Sequence, residues 1–175
     1  MDIKQYVIEH GRQVNLAAGQ HLFRQGEMED ALYFVKQGLF KAYYLCQDGK
    51  ELVKSFIAEG DVITNLSAVF EREPCTFSLL ALEPAALVKV DFDSLYQHTL
   101  DDLELSRFML ASLIKLAQKK ERREYEFLCL DATTRYQQLM QHQPDLLHRI
   151  TQNDIARYLG ITPVALSRIK HGRKG

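Results

Sequence analysis

Four glycines set the texture of the front half of the chain. Gly26, Gly38, Gly49 and Gly60 recur about eleven residues apart. Between them lie short apolar runs rich in β-branched and aromatic residues: Ala31-Leu-Tyr-Phe-Val35, Leu39-Phe-Lys-Ala-Tyr-Tyr-Leu45 and Glu51-Leu-Val-Lys-Ser-Phe-Ile57. Turns this regular leave room only for short strands, so the pattern predicts an antiparallel sandwich or barrel. The runs on either side of Gly38 predict a hairpin. Gln47-Asp48-Gly49 is a tight turn leading into the next strand. Phe77–Leu82 and Ala85–Val90, with Glu83-Pro84 between them, close the β segment.

Helical patterns flank it. Residues 2–10 place Ile3, Tyr6, Val7 and His10 on one side of a short helix that Gly11 ends. After Phe92, Asp93-Ser94 are read as the cap of a helix over Leu95–Leu100, and Asp101-Asp102 as the start of a long one to Leu128. That helix carries two apolar rows, Leu103/Leu110/Leu113/Ala117 and Leu105/Met109/Ser112/Leu116. Two rows exceed what one small β domain covers, so one is expected to meet a second copy of the chain. Lys119–Glu124 is read as solvated, and Asp131 as the cap of a helix to Met140.

The last twenty-five residues carry the functional signal. Thr151 is a good N-cap, and Asp154 stands where a carboxylate favours the positive end of a helix. Ile155, Ala156 and Leu159 form one apolar face, and Gly160 ends the helix. Ile161 is expected to be buried in the turn. Thr162 caps a second helix with Pro163 at its first position. Val164, Leu166 and Ile169 are expected to face the first helix, with Ser167, Arg168 and Lys170 outward. Two short helices about a Gly turn make a helix-turn-helix, whose second helix enters the DNA major groove. Arg168 can fork onto guanine, Thr162, Ser167 and Lys170 can reach phosphates or bases, and Val164 or Ala165 can touch a thymine methyl. Pro163 and Arg173 complete the expected DNA-binding set.

Of the 175 residues 46% are hydrophobic and 26% charged, a globular balance, and the formal charge is −1. From Gln141 onward six basic residues (Arg149, Arg157, Arg168, Lys170, Arg173, Lys174) face two acidic ones, a net of +4 that leaves −5 for the rest. A basic tail on an acidic body suits a DNA-binding module. The three cysteines (Cys46, Cys75, Cys129) are scattered, so neither a disulfide framework nor a zinc site is expected. With no secretory leader and no long apolar run, the expectation is a cytoplasmic protein without a membrane span. A metal-dependent β-barrel enzyme needs paired histidines on neighbouring strands. His10, His21, His98, His142, His148 and His171 are unpaired, so no catalysis, metal or cofactor is expected.

In their order, Gly26-Glu27, Leu32-Tyr-Phe-Val-Lys-Gln-Gly38, Asp48-Gly-Lys-Glu51, Glu59-Gly-Asp61 and Asp154-Ile-Ala…Leu159-Gly…Leu166-Ser-Arg168 resemble the Crp/Fnr family of bacterial transcription regulators, over nearly the whole chain. The resemblance implies an α+β protein in three parts: an antiparallel, cyclic-nucleotide-binding-like β-roll over 1–100, a long dimerisation helix over 101–128 and a helix-turn-helix unit over 129–175. It implies a homodimer on a roughly palindromic double-stranded operator, with contact to RNA polymerase. It places an effector pocket at Ile63, Thr64, Asn65, Leu66, Cys75 and Thr76. Cyclic-nucleotide-binding members carry a Gly-Glu pair and an Arg-Ser pair there. This chain has Thr64-Asn65, and Pro74-Cys75 or Cys75-Thr76, with Arg72 displaced onto a loop. Losing the arginine forfeits hydrogen bonds worth roughly 1.5–3 kcal/mol each, so cyclic AMP is not the expected ligand. The pocket is expected to be filled by Leu66, Val69, Phe70 and Phe77, leaving another small-molecule effector or none. The iron–sulfur cysteine cluster of oxygen-sensing members has no counterpart ahead of Cys46. Pro163-Val164 replaces the family's Arg-Glu, and no β-wing follows the second helix, so modest affinity and a shallow salt slope are expected. The alternative is an effector-binding or protein-interaction module with a vestigial helix-turn-helix.

Overall fold

The protein is described here from a computed structural model covering residues 2–172. Among these described residues eight strands, β1 (Arg12–Leu16), β2 (His21–Phe23), β3 (Ala31–Gln37), β4 (Phe40–Leu45), β5 (Glu51–Ile57), β6 (Val62–Ile63), β7 (Ser78–Ala81) and β8 (Ala85–Asp91), form two antiparallel four-stranded sheets. One has the order β1-β8-β3-β6 and the other β2-β7-β4-β5. This is a jelly-roll sandwich, with Phe23, Tyr33, Val35, Phe40, Ile63, Phe77, Leu79 and Leu87 meeting between the sheets.

The hairpin expected about Gly38 does not form. β3 pairs with β8 and β6, whereas β4 pairs with β5 and β7, so Gly38 marks a crossing between sheets. Its φ of 106° suits glycine alone, and a Cβ there would lie 2.6 Å from Cβ of Ala85. The turn at Asp48-Gly49 does close a hairpin, β4 with β5.

Helices cover both outer faces. α1 (Ile3–His10), α2 (Phe92–Asp101) and the start of α3 (Leu103–Cys129) pack Tyr6, Phe92, Leu95 and Leu105 against Leu32, Val88 and Val90. α4 (Ala132–His142), α5 (Pro144–Arg149), α6 (Gln152–Leu159) and α7 (Pro163–Lys170) cover Leu39, Val53 and Phe56 of the other sheet. Covering both faces explains why Ala31–Val35 reads as a continuous apolar run and not as an alternation.

α2 starts earlier than expected. Asp91, not Asp93-Ser94, is its N-cap and accepts from the Ser94 N–H at 2.7 Å. Asp102 caps α3 as expected. Of the two apolar rows on α3, Leu105 is buried and Met109, Ser112 and Leu116 are half-buried, while Leu103 (64%), Leu110 (60%) and neighbouring Ile114 (49%) stay exposed. No helix among the described residues is long and apolar enough to cross a membrane.

Candidate nucleic-acid interface

The two final helices form as the sequence dictates. Thr151 accepts the Asp154 N–H, and Gly160, in the left-handed conformation at φ 69°, ends α6. The N–H groups of Gly160 and Ile161 satisfy the carbonyls of Arg157 and Ala156. A Cβ on Gly160 would lie 3.0 Å from the Phe127 ring, so glycine also lets α3 approach the turn. Thr162 then caps α7 by accepting the Ala165 N–H, and Pro163 occupies the first turn. Leu166 is buried and Ile169 half-buried against α6. Ile161, expected to be buried, is half-buried.

The opposite side of α7 is open. Thr162, Pro163, Val164, Ser167, Arg168 and Lys170 are all exposed. Val164, expected to face inward, is 62% exposed, and Ala165 takes the half-buried place. The reason is helical phase: Leu166 and Ile169 define the inward stripe, and Val164 lies outside it. Lys170 reaches back to Oε1 of Gln152 at 2.8 Å, bracing α7 on α6. The His171 ring turns onto the Ser167 carbonyl. Among the described residues the Arg168 guanidinium has no hydrogen-bond or ion-pair partner, and its side chain is exposed. Arg173 lies outside the described residues.

The inward side of this unit is held by charge as well as by packing. Lys41 on β4 is 6% exposed and donates to Asp154 at 3.0 Å and to Glu51 at 3.2 Å. Asp154, expected as a helix cap alone, is buried there and also accepts from Thr151 Oγ1 at 2.7 Å. Arg157 donates to Glu51 at 2.5 Å. Arg149 forks onto Glu59 at 2.9 and 3.0 Å and also binds Glu83. The Arg149 guanidinium holds the Glu59 carboxyl down to about 2, and Glu83 and Glu59 push the Arg149 pKa up in return. From α3, Arg123 donates to the carbonyls of Tyr158 and Val53 and stacks on the Tyr158 ring at 3.7 Å. Arg135 donates to the carbonyls of Leu130 and Leu159 at 2.6 and 3.0 Å.

Two of the six basic residues of the tail, Arg149 and Arg157, are therefore committed to carboxylates of the sandwich. The charge asymmetry in the sequence is in part complementarity within the chain. Nothing local marks Lys41, Glu51, Glu59 or Glu83 as partners, because strand and turn residues of this kind usually face water.

The expected effector residues line neither of two depressions on the surface of the molecule. Ile63, Asn65 and Cys75 are buried at 1–2% exposure, Thr64 and Leu66 are half-buried, and Thr76 points outward. Val69 and Phe77 fill the interior, while Phe70 is half exposed on a π-helical turn, Ser67–Glu71. Burial pushes the Cys75 thiol up to about 11, so it stays protonated near neutral pH and is a poor redox sensor. Nη2 of Arg72 donates to both carboxylate oxygens of Asp93, at 2.6 Å each. Lys54 lays its ammonium 3.6 Å over the Phe77 ring, and burial, with Lys120 and Lys119 nearby, lowers its pKa to about 8. Two surface depressions lie elsewhere, one about 410 Å³ beside His21 and Arg24, the other about 280 Å³ between Phe56, Lys119 and the α4–α5 junction.

Residues 13–102 match the cyclic nucleotide-binding domain model. The chain is 25% identical over 174 residues to the fumarate and nitrate reduction regulatory protein of Yersinia pestis, spanning 90% of this chain and 67% of that protein. It is 28% identical over 182 residues to the transcriptional activator protein Anr of Pseudomonas protegens, spanning 97% and 72%. The solved structure of FixK2 from Bradyrhizobium japonicum superposes with a TM-score of 0.80 at 19% identity, covering 94% of this chain and 89% of that one.

Proposed function

The chain belongs to the cyclic nucleotide-binding domain family and, within it, to the Crp/Fnr transcription regulators, and from that membership we propose that it acts as a homodimer on a two-fold symmetric operator, one α7 in each half-site. The observation that carries this reading is the open side of α7: Thr162, Pro163, Val164, Ser167 and Arg168 are exposed together while Leu166 anchors the helix from behind. Arg168 donates in pairs to guanine, Val164 offers a methyl surface to thymine, and Thr162 and Ser167 reach phosphates or base edges.

The exposed row of Leu103, Leu110 and Ile114 on α3 supports a second copy as its cover. On this reading residues 1–100 sense, 101–128 dimerise and 129–175 bind DNA, in the cytoplasm and in contact with RNA polymerase. Cyclic AMP is not the effector. Cys75 stands neutral and buried near where the phosphate-binding arginine would be, and Arg72 is already paired with Asp93. Another small molecule, or none, acts on the β-roll.

The test is selection from a random duplex pool, with and without cyclic AMP. Enrichment of a two-fold symmetric motif, indifferent to the nucleotide, is expected. No enrichment in either condition hands the chain to the protein-interaction reading. Arg168→Ala should weaken binding to the selected motif by about 1–3 kcal/mol, relax preference at one base pair and leave the dimer intact by sedimentation. An unchanged footprint would overturn the assignment of Arg168.

A further inference from the structure

We propose that the ion pairs between the helix-turn-helix unit and the sandwich set the spacing between operator half-sites. This rests on the reading of the chain as a dimeric DNA-binding regulator. Lys41, Asp154, Arg149, Glu51, Glu59 and Glu83 are positioning residues: they touch no base and act by fixing where α7 points.

Covalently, the unit hangs from α3 through a single extended stretch. Leu130 ends α3 at φ −110° and ψ 143°, and Asp131 opens α4. Two torsions there would let α4–α7 swing as a body about α3, the helix whose exposed row implies the dimer axis. The non-covalent contacts remove that freedom on two sides. Toward the sandwich stand Lys41–Asp154, Arg157–Glu51 and the fork of Arg149 onto Glu59 and Glu83. Toward α3 stand Arg123 on the Tyr158 carbonyl and Phe127 against Gly160.

The chemistry of the first set is what points to positioning. An apolar seam alone tolerates small slides, because hydrophobic attraction has no direction. A buried ammonium between two carboxylates does not, since moving it by an ångström leaves a buried charge unsatisfied. Arg149 adds a planar fork with a fixed approach. These residues sit at both ends of the docked surface: Arg149 just before α6, Asp154 in its first turn and Arg157 in its last. Together they fix the tilt of α6 and its rotation, and α7 follows through Leu166 and the Lys170–Gln152 bond.

On DNA, one base pair of altered spacing moves the second half-site by about 3.4 Å and turns it by about 35°. A dimer whose reading helices are fixed to the body cannot follow that turn. One whose helices swivel can.

The experiment takes the selected operator and a series in which the central spacer is shortened or lengthened by one and two base pairs, together with a duplex holding one half-site. The wild-type chain is expected to lose at least about tenfold in affinity per altered base pair, comparable to a mismatched pair. Lys41→Met with Asp154→Leu keeps the packing and removes the directional bonds. Arg149→Gln, on the more exposed side, removes the fork without touching the buried pair. Both variants should flatten the spacer series to within about threefold, with half-site affinity unchanged. Cooperative thermal melting confirms that each is folded. Folded variants that keep the wild-type spacing profile overturn the inference alone, as does an equal loss on the single half-site. If the wild-type chain enriches no motif, the proposed function fails, and this inference with it.

Discussion

The chain contains two seams built on opposite principles. Between the sheets, Phe40, Leu79, Ala81 and Leu87 are fully buried and meet aliphatic and aromatic neighbours. Between the sandwich and the helix-turn-helix unit, Leu39, Phe56, Ile155 and Leu166 share one buried cluster, joined by a buried Lys41–Asp154 pair and by the more exposed Arg157–Glu51 and Arg149–Glu59. The first seam is strong and draws little on charge. The second gives up part of its stability to desolvate charge, and in exchange it is directional and responsive. A frame needs the first property. A unit that must present α7 at a set angle needs the second.

The largest effect that separates the seams is expected at Phe40→Ala, in the dry one. It should cost about 3–5 kcal/mol in global unfolding by urea, with an unchanged slope against denaturant. Next comes Asp154→Ala in the ionic seam, which leaves Lys41 with Glu51 alone and the Thr151 hydroxyl proton without its acceptor. About 2–3 kcal/mol should be lost, and hydrogen exchange should rise first along α5–α6, ahead of the sheets. Lys41→Met with Asp154→Leu should recover most of that loss. If the double variant is no more stable than Asp154→Ala, the buried pair is a net source of stability and the two seams do not differ in kind.

The frame was far more legible than the seam that aims α7. Turn glycines and apolar runs announced the sandwich, and Thr151, Gly160, Thr162 and Pro163 announced both final helices by local rules. Gly38 shows the limit of such rules. Its turn was visible, but which sheet the chain enters next depends on Ala85 filling the space where a Cβ would sit, a contact between residues far apart in sequence. The apolar side chain of Val164 points to an inward place, and the phase set by Leu166 and Ile169 overrides it. The ionic seam was invisible for a stronger reason. Lys41 and Asp154 are 113 residues apart and each has an ordinary local role, as a polar strand residue and as a helix cap. Arg149 and Arg157 swell the basic tail in the sequence, because charge in a sequence carries a sign but no address.

The smallest effect is also the sharpest test of the second seam, because it has a sign. Arg149 holds Glu59 at about 2, below its ordinary 4.5. A carboxyl with a depressed pKa in the folded state stabilises that state at any pH above the ordinary value. The contribution fades as pH falls from about 4.5 toward about 2, because the unfolded chain then binds a proton that the folded one refuses. Arg149 stays charged throughout, so only Glu59 titrates in this contact. The side chains are 29% and 41% exposed, and solvent screening keeps the term at about 1 kcal/mol or less. Unfolding should therefore become easier between pH 5 and pH 3 by that amount more in the wild-type chain than in Arg149→Gln. Carboxylates that Arg149 does not touch cancel in the difference, which leaves Glu59 and Glu83 as the groups it reports on. Added salt should shrink the difference, whereas Phe40→Ala should leave it unchanged. A variant that keeps the full acid slope would mean that Glu59 owes its acidity to something other than Arg149. The rim of the seam would then be ordinary surface charge, and the burden of orienting α6 would fall on Lys41 and Asp154 alone.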